Sequence, residues 1–178
     1  WHQSYLKKFT EIWVPDFEKD NNLSGILSHQ LSIKTPVRYI GPQSRFSNFN
    51  FSEGNKEEKI VAILSGPEPQ RTLFEQILTE QLIEINLPSV LIRGVVEEGE
   101  NQQIGNLTIK NYLHSEELKK EFSKASCVIC RPGYSTLMDL SHFGKKVILI
   151  PTPGQTEQEY LAENLSKKGN AIVQKQKS

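Results

Sequence analysis

The stretch Arg131-Pro132-Gly133-Tyr134-Ser135-Thr136 concentrates the residue types best suited to chemistry. Gly133 lets a backbone turn sharply and approach a ligand closely. Ser135 and Thr136 put hydroxyls and amides at a helix start, where phosphate is favoured. Asp139 follows Thr136 by three positions, and its carboxylate has two readings. It can close a capping box with Thr136, or it can accept hydrogen bonds from a ribose diol. Arg71 stands at another helix start, as a phosphate ligand or as a solvated cation. Gln158 and Glu159 lie in the opening turn of a later helix and, on spacing alone, read as a solvated helix start.

No hydrolytic set accompanies these residues. His2, His29, His114 and His142 are scattered, and no Ser/His/Asp or Cys/His group is legible. Cys127 and Cys130 form a single CxxC, and a zinc ribbon needs a second pair. Cys127-Val128-Ile129-Cys130 reads as a strand, in which positions i and i+3 face opposite sides. Two separate reduced thiols in a reducing, cytoplasmic setting are therefore expected. The sequons at Asn22, Asn106 and Asn164 read as chance without a secretory signal.

Composition narrows the class further. The chain has 178 residues, with 21 Lys+Arg against 21 Asp+Glu. Zero net charge lacks the basic footprint of a nucleic-acid binder. The longest apolar run, Ile60–Leu64, is five residues, against the ~20 that a membrane helix needs. The first residue is Trp1, which leads us to expect a piece of something longer.

The elements that must position these residues come next. Strand signals stand at Glu11–Val14 and Val37–Ile40, and Ser44–Lys59 is polar and reads as a linker or long exposed loop. From residue 59 the pattern becomes regular. Strands are expected at Lys59–Leu64, Ser89–Val96, Thr108–Leu113, Cys127–Cys130, Val147–Ile150 and Ala171–Gln174. Helices are expected at Gln70–Asn86, Ser115–Ser123, Ser135–Phe143 and Thr156–Lys168. Strands that are apolar throughout, alternating with helices, imply an α/β fold with a Rossmann-like parallel sheet covered by helices on both faces. The loops 65–71, 131–136 and 151–158 follow strands and should converge on one crevice.

The segment from Cys130 to Leu140, with Gly144, Val147–Pro151, Gln158-Glu159-Tyr160, Asn164 and Gly169, resembles the C-terminal domain of glycosyltransferase family 28. The resemblance covers roughly residues 37–178 and is densest at 126–170. It implies the C-terminal half of the two-domain GT-B fold, which binds a nucleotide sugar, usually a uridine diphosphate (UDP) sugar. It implies that Gly133, Tyr134, Ser135 and Thr136 line the diphosphate and ribose, and that Asp139 takes the place of a ribose-binding acid, usually Glu. Gln158 matches the first of a Gln pair that reads the sugar hydroxyls, and Glu159 stands where the second Gln is expected. Arg45 matches an Arg that contacts phosphate, and Leu113 falls where a backbone group reads the base. The glycine-rich loop of the family is here Ser65-Gly66-Pro67-Glu68-Pro69-Gln70, with Gly66 as its one glycine. Glu68 in that loop would repel a diphosphate unless it points away.

The resemblance further implies a division into a preceding-domain tail (1–36), an interdomain strand and linker (37–58) and a donor-binding domain (59–178). The acceptor site and the general base would then belong to an N-terminal domain. The acceptor could be lipid-linked, at the inner face of the membrane. No metal, cofactor or nucleic acid is expected beyond the donor itself. The alternatives are a non-catalytic subunit of a split glycosyltransferase and a UDP-sugar epimerase of the same fold.

Overall fold

The computed structural model describes residues 5–30, 33–47, 57–96 and 99–176. Two short strands open it, β1 (Ile12–Val14) and β2 (Val37–Tyr39), paired in parallel. Between them lies a one-turn helix, α1 (Ile26–His29), too short for a helical period to mark it in the sequence.

The regular part follows as β3 (Ile60–Ile63), α2 (Gln70–Ile85), β4 (Ser89–Ile92), β5 (Gln102–Ile104), β6 (Leu107–Lys110), α3 (Ser115–Lys124), β7 (Cys127–Cys130), α4 (Tyr134–Leu140), β8 (Lys146–Leu149), α5 (Thr156–Lys167) and β9 (Ile172–Val173). The sheet order is β5-β6-β4-β3-β7-β8-β9. All pairs are parallel except β5 with β6. With β5 set aside, this is the doubly wound order, which reverses direction between β3 and β7. The antiparallel β5 was not expected. Its residues are all exposed, so no apolar alternation marks it, and its backbone pairing with β6 alone defines it.

Burial on both faces explains the continuous apolar strands. One cluster joins Val61, Val90 and Val128 to Leu118, Phe122, Leu137 and Leu161 of α3, α4 and α5. The opposite face packs Ala62, Leu91, Leu107 and Ile129 against Phe74, Leu78 and Leu82 of α2. Neighbouring positions of one strand thus serve different faces. The cysteines follow the same rule. Both are free thiols, Cys130 buried and Cys127 half-buried, and burial pushes the Cys130 thiol up to about 12.

The expectation of a long exposed loop at Ser44–Lys59 is corrected at its start. Ser44 and Phe46 are buried. Phe46 meets Phe143 edge-on at 5.1 Å and Phe122 at 6.3 Å between ring centroids. Aromatic pairs of this kind add ~0.5–1.5 kcal/mol beyond their area, enough to draw one Phe of a polar segment into the core. Residues 48–56 of that stretch lie outside the described residues.

Candidate functional site

The chain leaves β3 toward β4 on one side and leaves β7 toward β8 on the other. Their following loops therefore part, and a crevice opens beyond the carboxyl ends of these strands. β8 adds a third loop beside them.

After β3, Gly66 takes φ +101°, which a side chain rarely tolerates, and an added Cβ would meet nothing within 4 Å. Glu68 does not face the crevice as a free charge. It pairs with Arg71 and accepts the Thr72 amide at 3.2 Å, so it closes the first turn of α2. Bonds from Thr72, with Arg71 beside it, hold the Glu68 carboxyl below its usual value. Arg71 is thereby engaged by Glu68, and its Nη1 lies 3.5 Å from the Arg93 carbonyl.

After β7, α4 starts at Tyr134 with Gly133 as its N-cap. Gly133 has φ −76°, so the backbone there does not require glycine. An added Cβ would find only Thr136 Oγ1, at 3.9 Å. The turn itself is present, closed by the Gly133 amide donating to the Arg131 carbonyl at 2.8 Å, and an open approach beside the loop remains. Ser135 is exposed and Thr136 half-buried, and the amides of a helix's first turn lack intrahelical partners. Tyr134 turns away: its hydroxyl donates to the Pro15 carbonyl at 3.0 Å, and burial, with Asp16 nearby, raises its phenol well above the ordinary value.

Asp139 lies in the second turn of α4, not the first, and no side-chain cap closes this helix. The capping-box reading therefore fails. The carboxylate is 5% exposed. Its Oδ1 accepts Ser44 Oγ at 2.7 Å and the Arg45 amide at 3.3 Å. Its Oδ2 pairs with Arg45 Nε at 2.8 Å. Arg45 and Asp139 are brought together as expected for one site, yet they meet each other. Ser44 was missed, because a lone Ser in a polar run carries no signal for a partner 95 positions away.

After β8, Gln158 Oε1 accepts the Thr152 amide at 2.8 Å, and Glu159 Oε1 accepts the Gly154 amide at 3.3 Å. Both side chains shape the loop they follow. Gly133, Gly154, Gln155, Thr156, Glu157 and Gln158 line a cleft of about 350 Å³. Gly133 and Gln158 thus share one wall. Leu113 is buried in the core.

The sequence places Arg131 in the turn after β7, and the structure gives it a larger part. It is 1% exposed. Its Nη1 donates to the carbonyls of Ile150 and Pro151, both at 2.9 Å, and its Nη2 to Gln176 Oε1 at 2.5 Å. The guanidinium lies 4.0 Å from the Phe74 ring centroid. Burial lowers its pKa to about 10, so it stays charged at neutral pH. One side chain therefore ties β7 to the loop after β8, the start of α2 and the segment after β9. An Arg directly after an apolar strand was the available signal.

Among the described residues no group of three or more His, Cys, Asp and Glu could hold a metal ion. Among the same residues no helix is long and apolar enough to cross a membrane.

Residues 60–178 match the model of the glycosyltransferase family 28 C-terminal domain. Over 71 residues the chain is 39% identical to the UDP-N-acetylglucosamine–N-acetylmuramyl-(pentapeptide) pyrophosphoryl-undecaprenol N-acetylglucosamine transferase of Desulforudis audaxviator, covering 39% of the chain and 18% of that protein. It is 22% identical over 174 residues to an uncharacterized glycosyltransferase of Methanosarcina acetivorans, covering 94% of the chain and 45% of the relative. The chain thus spans less than half the length of either relative. Among solved structures, the spinosyn forosaminyltransferase SpnP overlays with a TM-score of 0.54 at 16% identity, over 82% of the chain and 38% of its own. That likeness shows a shared Rossmann-like α/β fold of the GT-B type.

Proposed function

We propose, from the premise that this chain belongs to the glycosyltransferase family 28 C-terminal domain family, that it seats a UDP-sugar donor in the crevice beyond β3, β7 and β8. The chain is a sugar-donor-binding domain. A hexose or N-acetylhexosamine is the group to be moved. The reversal of strand order between β3 and β7 carries this reading, because it opens a crevice at the strand ends where such sheets bind nucleotides.

In this reading the backbone around Gly66, Gly133, Ser135 and Thr136 faces the diphosphate, and Tyr134 contributes backbone while its hydroxyl holds Pro15. Arg45 contacts phosphate, and Arg71 lies behind Glu68 at the rim. The Leu113 backbone reads the base, and Gln158 with Glu159 sets the sugar end. The donor needs no metal or further cofactor here. The acceptor, lipid-linked at a membrane surface, and the general base belong to a preceding domain, which the greater length of the relatives supports.

Calorimetric titration with UDP, UDP-N-acetylglucosamine, thymidine diphosphate and guanosine diphosphate tests the reading. The uridine ligands should bind, and at about 100 times the dissociation constant they should stabilise the fold by about 2.7 kcal/mol. Absence of binding by every nucleotide would overturn the donor site. Sugar transfer by this chain alone would overturn the assignment of acceptor and base to another domain.

A further inference from the structure

We infer that Arg131 is a positioning residue of the donor crevice: its buried guanidinium fixes the Pro151–Thr152 peptide, and through that peptide it places Gln158 at the sugar end. This inference rests on the donor-site reading above.

Arg131 is 1% exposed. Among the described residues no carboxylate pairs with it, and its buried Nε has no hydrogen-bond partner. A buried cation without an anion is costly. An apolar side chain could cover the Phe74 ring without that cost, so packing alone does not account for a guanidinium here. What only a guanidinium supplies is a planar fork that reaches several acceptors at once. Nη1 takes the carbonyls of Ile150 and Pro151, both at 2.9 Å. Nη2 reaches Gln176 Oε1 at 2.5 Å and the Gln70 carbonyl at 3.5 Å. A lysine has one nitrogen and cannot span these two sides.

The Pro151 carbonyl and the Thr152 amide belong to one peptide group, which is rigid and planar. Arg131 holds its oxygen. Gln158 Oε1 accepts from its N–H at 2.8 Å. The two side chains therefore grip opposite ends of the same plane, and a shift of that plane moves Gln158. Gln158 faces Gly133 across the cleft of about 350 Å³. Gly133 is two residues beyond Arg131, and its amide donates to the Arg131 carbonyl at 2.8 Å. The backbone of Arg131 thus carries one wall of the cleft, and its side chain fixes the peptide that orients the other. The spacing between the walls is set by a single residue.

The test is calorimetric titration with UDP and with whichever of UDP-N-acetylglucosamine and UDP-glucose binds more tightly. Arg131→Lys keeps the charge and loses the fork. It should weaken the sugar nucleotide about tenfold and UDP by less than about threefold. In a Gln158→Ala background the same substitution should no longer separate the two ligands, because Arg131 acts through Gln158. Equal loss for both ligands, or loss for neither, would overturn the inference and leave the donor site standing. Full additivity of the two substitutions would do the same, and so would wild-type binding of UDP alone. If Arg131→Lys does not fold, amide exchange in the wild-type protein decides. The Thr152 amide should exchange far more slowly than in a free peptide, and exchange at the free-peptide rate would mean that the peptide is not held. If no nucleotide binds the wild-type protein, the donor-site reading fails and this inference falls with it.

Discussion

From Ile60 onward the molecule buries apolar side chains on both faces of its sheet, in two separate clusters. Among the described residues, the segment from Tyr5 to Ser47 contributes only Leu23 and Phe46 to that core, and Phe9 and Trp13 stay more than 60% exposed. Polar bonds hold this segment instead. Asp16 is fully buried and accepts the amides of Phe17, Leu23 and Ser24 and the Ser24 hydroxyl. Tyr134 grips Pro15, the Ile26 amide donates to the Tyr160 hydroxyl at 2.8 Å, and Asp139 holds Ser44 and Arg45. The sheet unit depends on distributed packing. The N-terminal segment depends on a few directional contacts, and those to Asp16 and Asp139 are more damaging to lose than a surface bond because both carboxylates are buried.

The largest effect should come where the two regions share packing. Phe122 belongs to α3 and meets both Phe46 and Phe143. Phe122→Ala should cost about 3–5 kcal/mol, and chemical denaturation should show one global transition shifted to lower denaturant. A loss under about 1 kcal/mol would mean that the aromatic cluster is not core.

Asp16→Asn should act on one region alone. It removes a buried charge that four donors address, at a cost of about 2–3 kcal/mol. Amide exchange should quicken in residues 12–40 while β3, β7 and β8 keep their protection. Equal loss in both regions would erase the distinction between them.

Acid should sharpen the same contrast. Burial raises the Asp16 carboxyl, but bonds from Ser24, Leu23 and Phe17 outweigh it, and the net shift is down from 3.8. In the sheet unit, Glu121 is likewise raised by burial and lowered more by Lys59 and Lys110, to a net value below 4.5. A depressed carboxyl stabilises the fold above its unfolded value, and that contribution is lost as pH falls through the folded value. The contribution of Glu121 should therefore fade as pH drops below about 4.5 and that of Asp16 as it drops below about 3.8. Asp16→Asn should remove the acid response of residues 12–40 and leave that of the sheet, read by amide exchange at pH 6 and pH 3.5. Persistence of the response in the variant would shift the cause away from Asp16.

The smallest effect should be that of Tyr134→Phe. It deletes one hydroxyl donor to a backbone carbonyl and should cost about 1 kcal/mol. Its melting temperature should fall by a few degrees, without loss of nucleotide affinity. A loss of affinity would place the hydroxyl in the crevice and contradict its bond to Pro15.

The unequal legibility of the two regions has the same origin. β3, β7, β8, α2 and α5 stand close to the positions that apolar periodicity marks, because a sheet covered on both faces imposes that period on its own strand. β5 is polar and exposed, so only its neighbour defines it. Gly133 looked like a conformational necessity, yet its φ of −76° suits any residue. Arg131 reads in sequence as the first residue of a turn, yet it is the buried tie among the segments that follow β3, β8 and β9.

The sequence by itself determined the α/β class, the family resemblance and the separate facing of Cys127 and Cys130. Each of these follows from local period or from neighbours along the chain. Only the tertiary structure decided what Asp139, Tyr134 and Arg131 touch. Asp139 meets Ser44 across 95 positions and Tyr134 meets Pro15 across 119. A carboxylate or a hydroxyl has the same donors and acceptors wherever it stands, so its partner is chosen by which backbone the fold carries to within hydrogen-bond distance, and no local pattern encodes that.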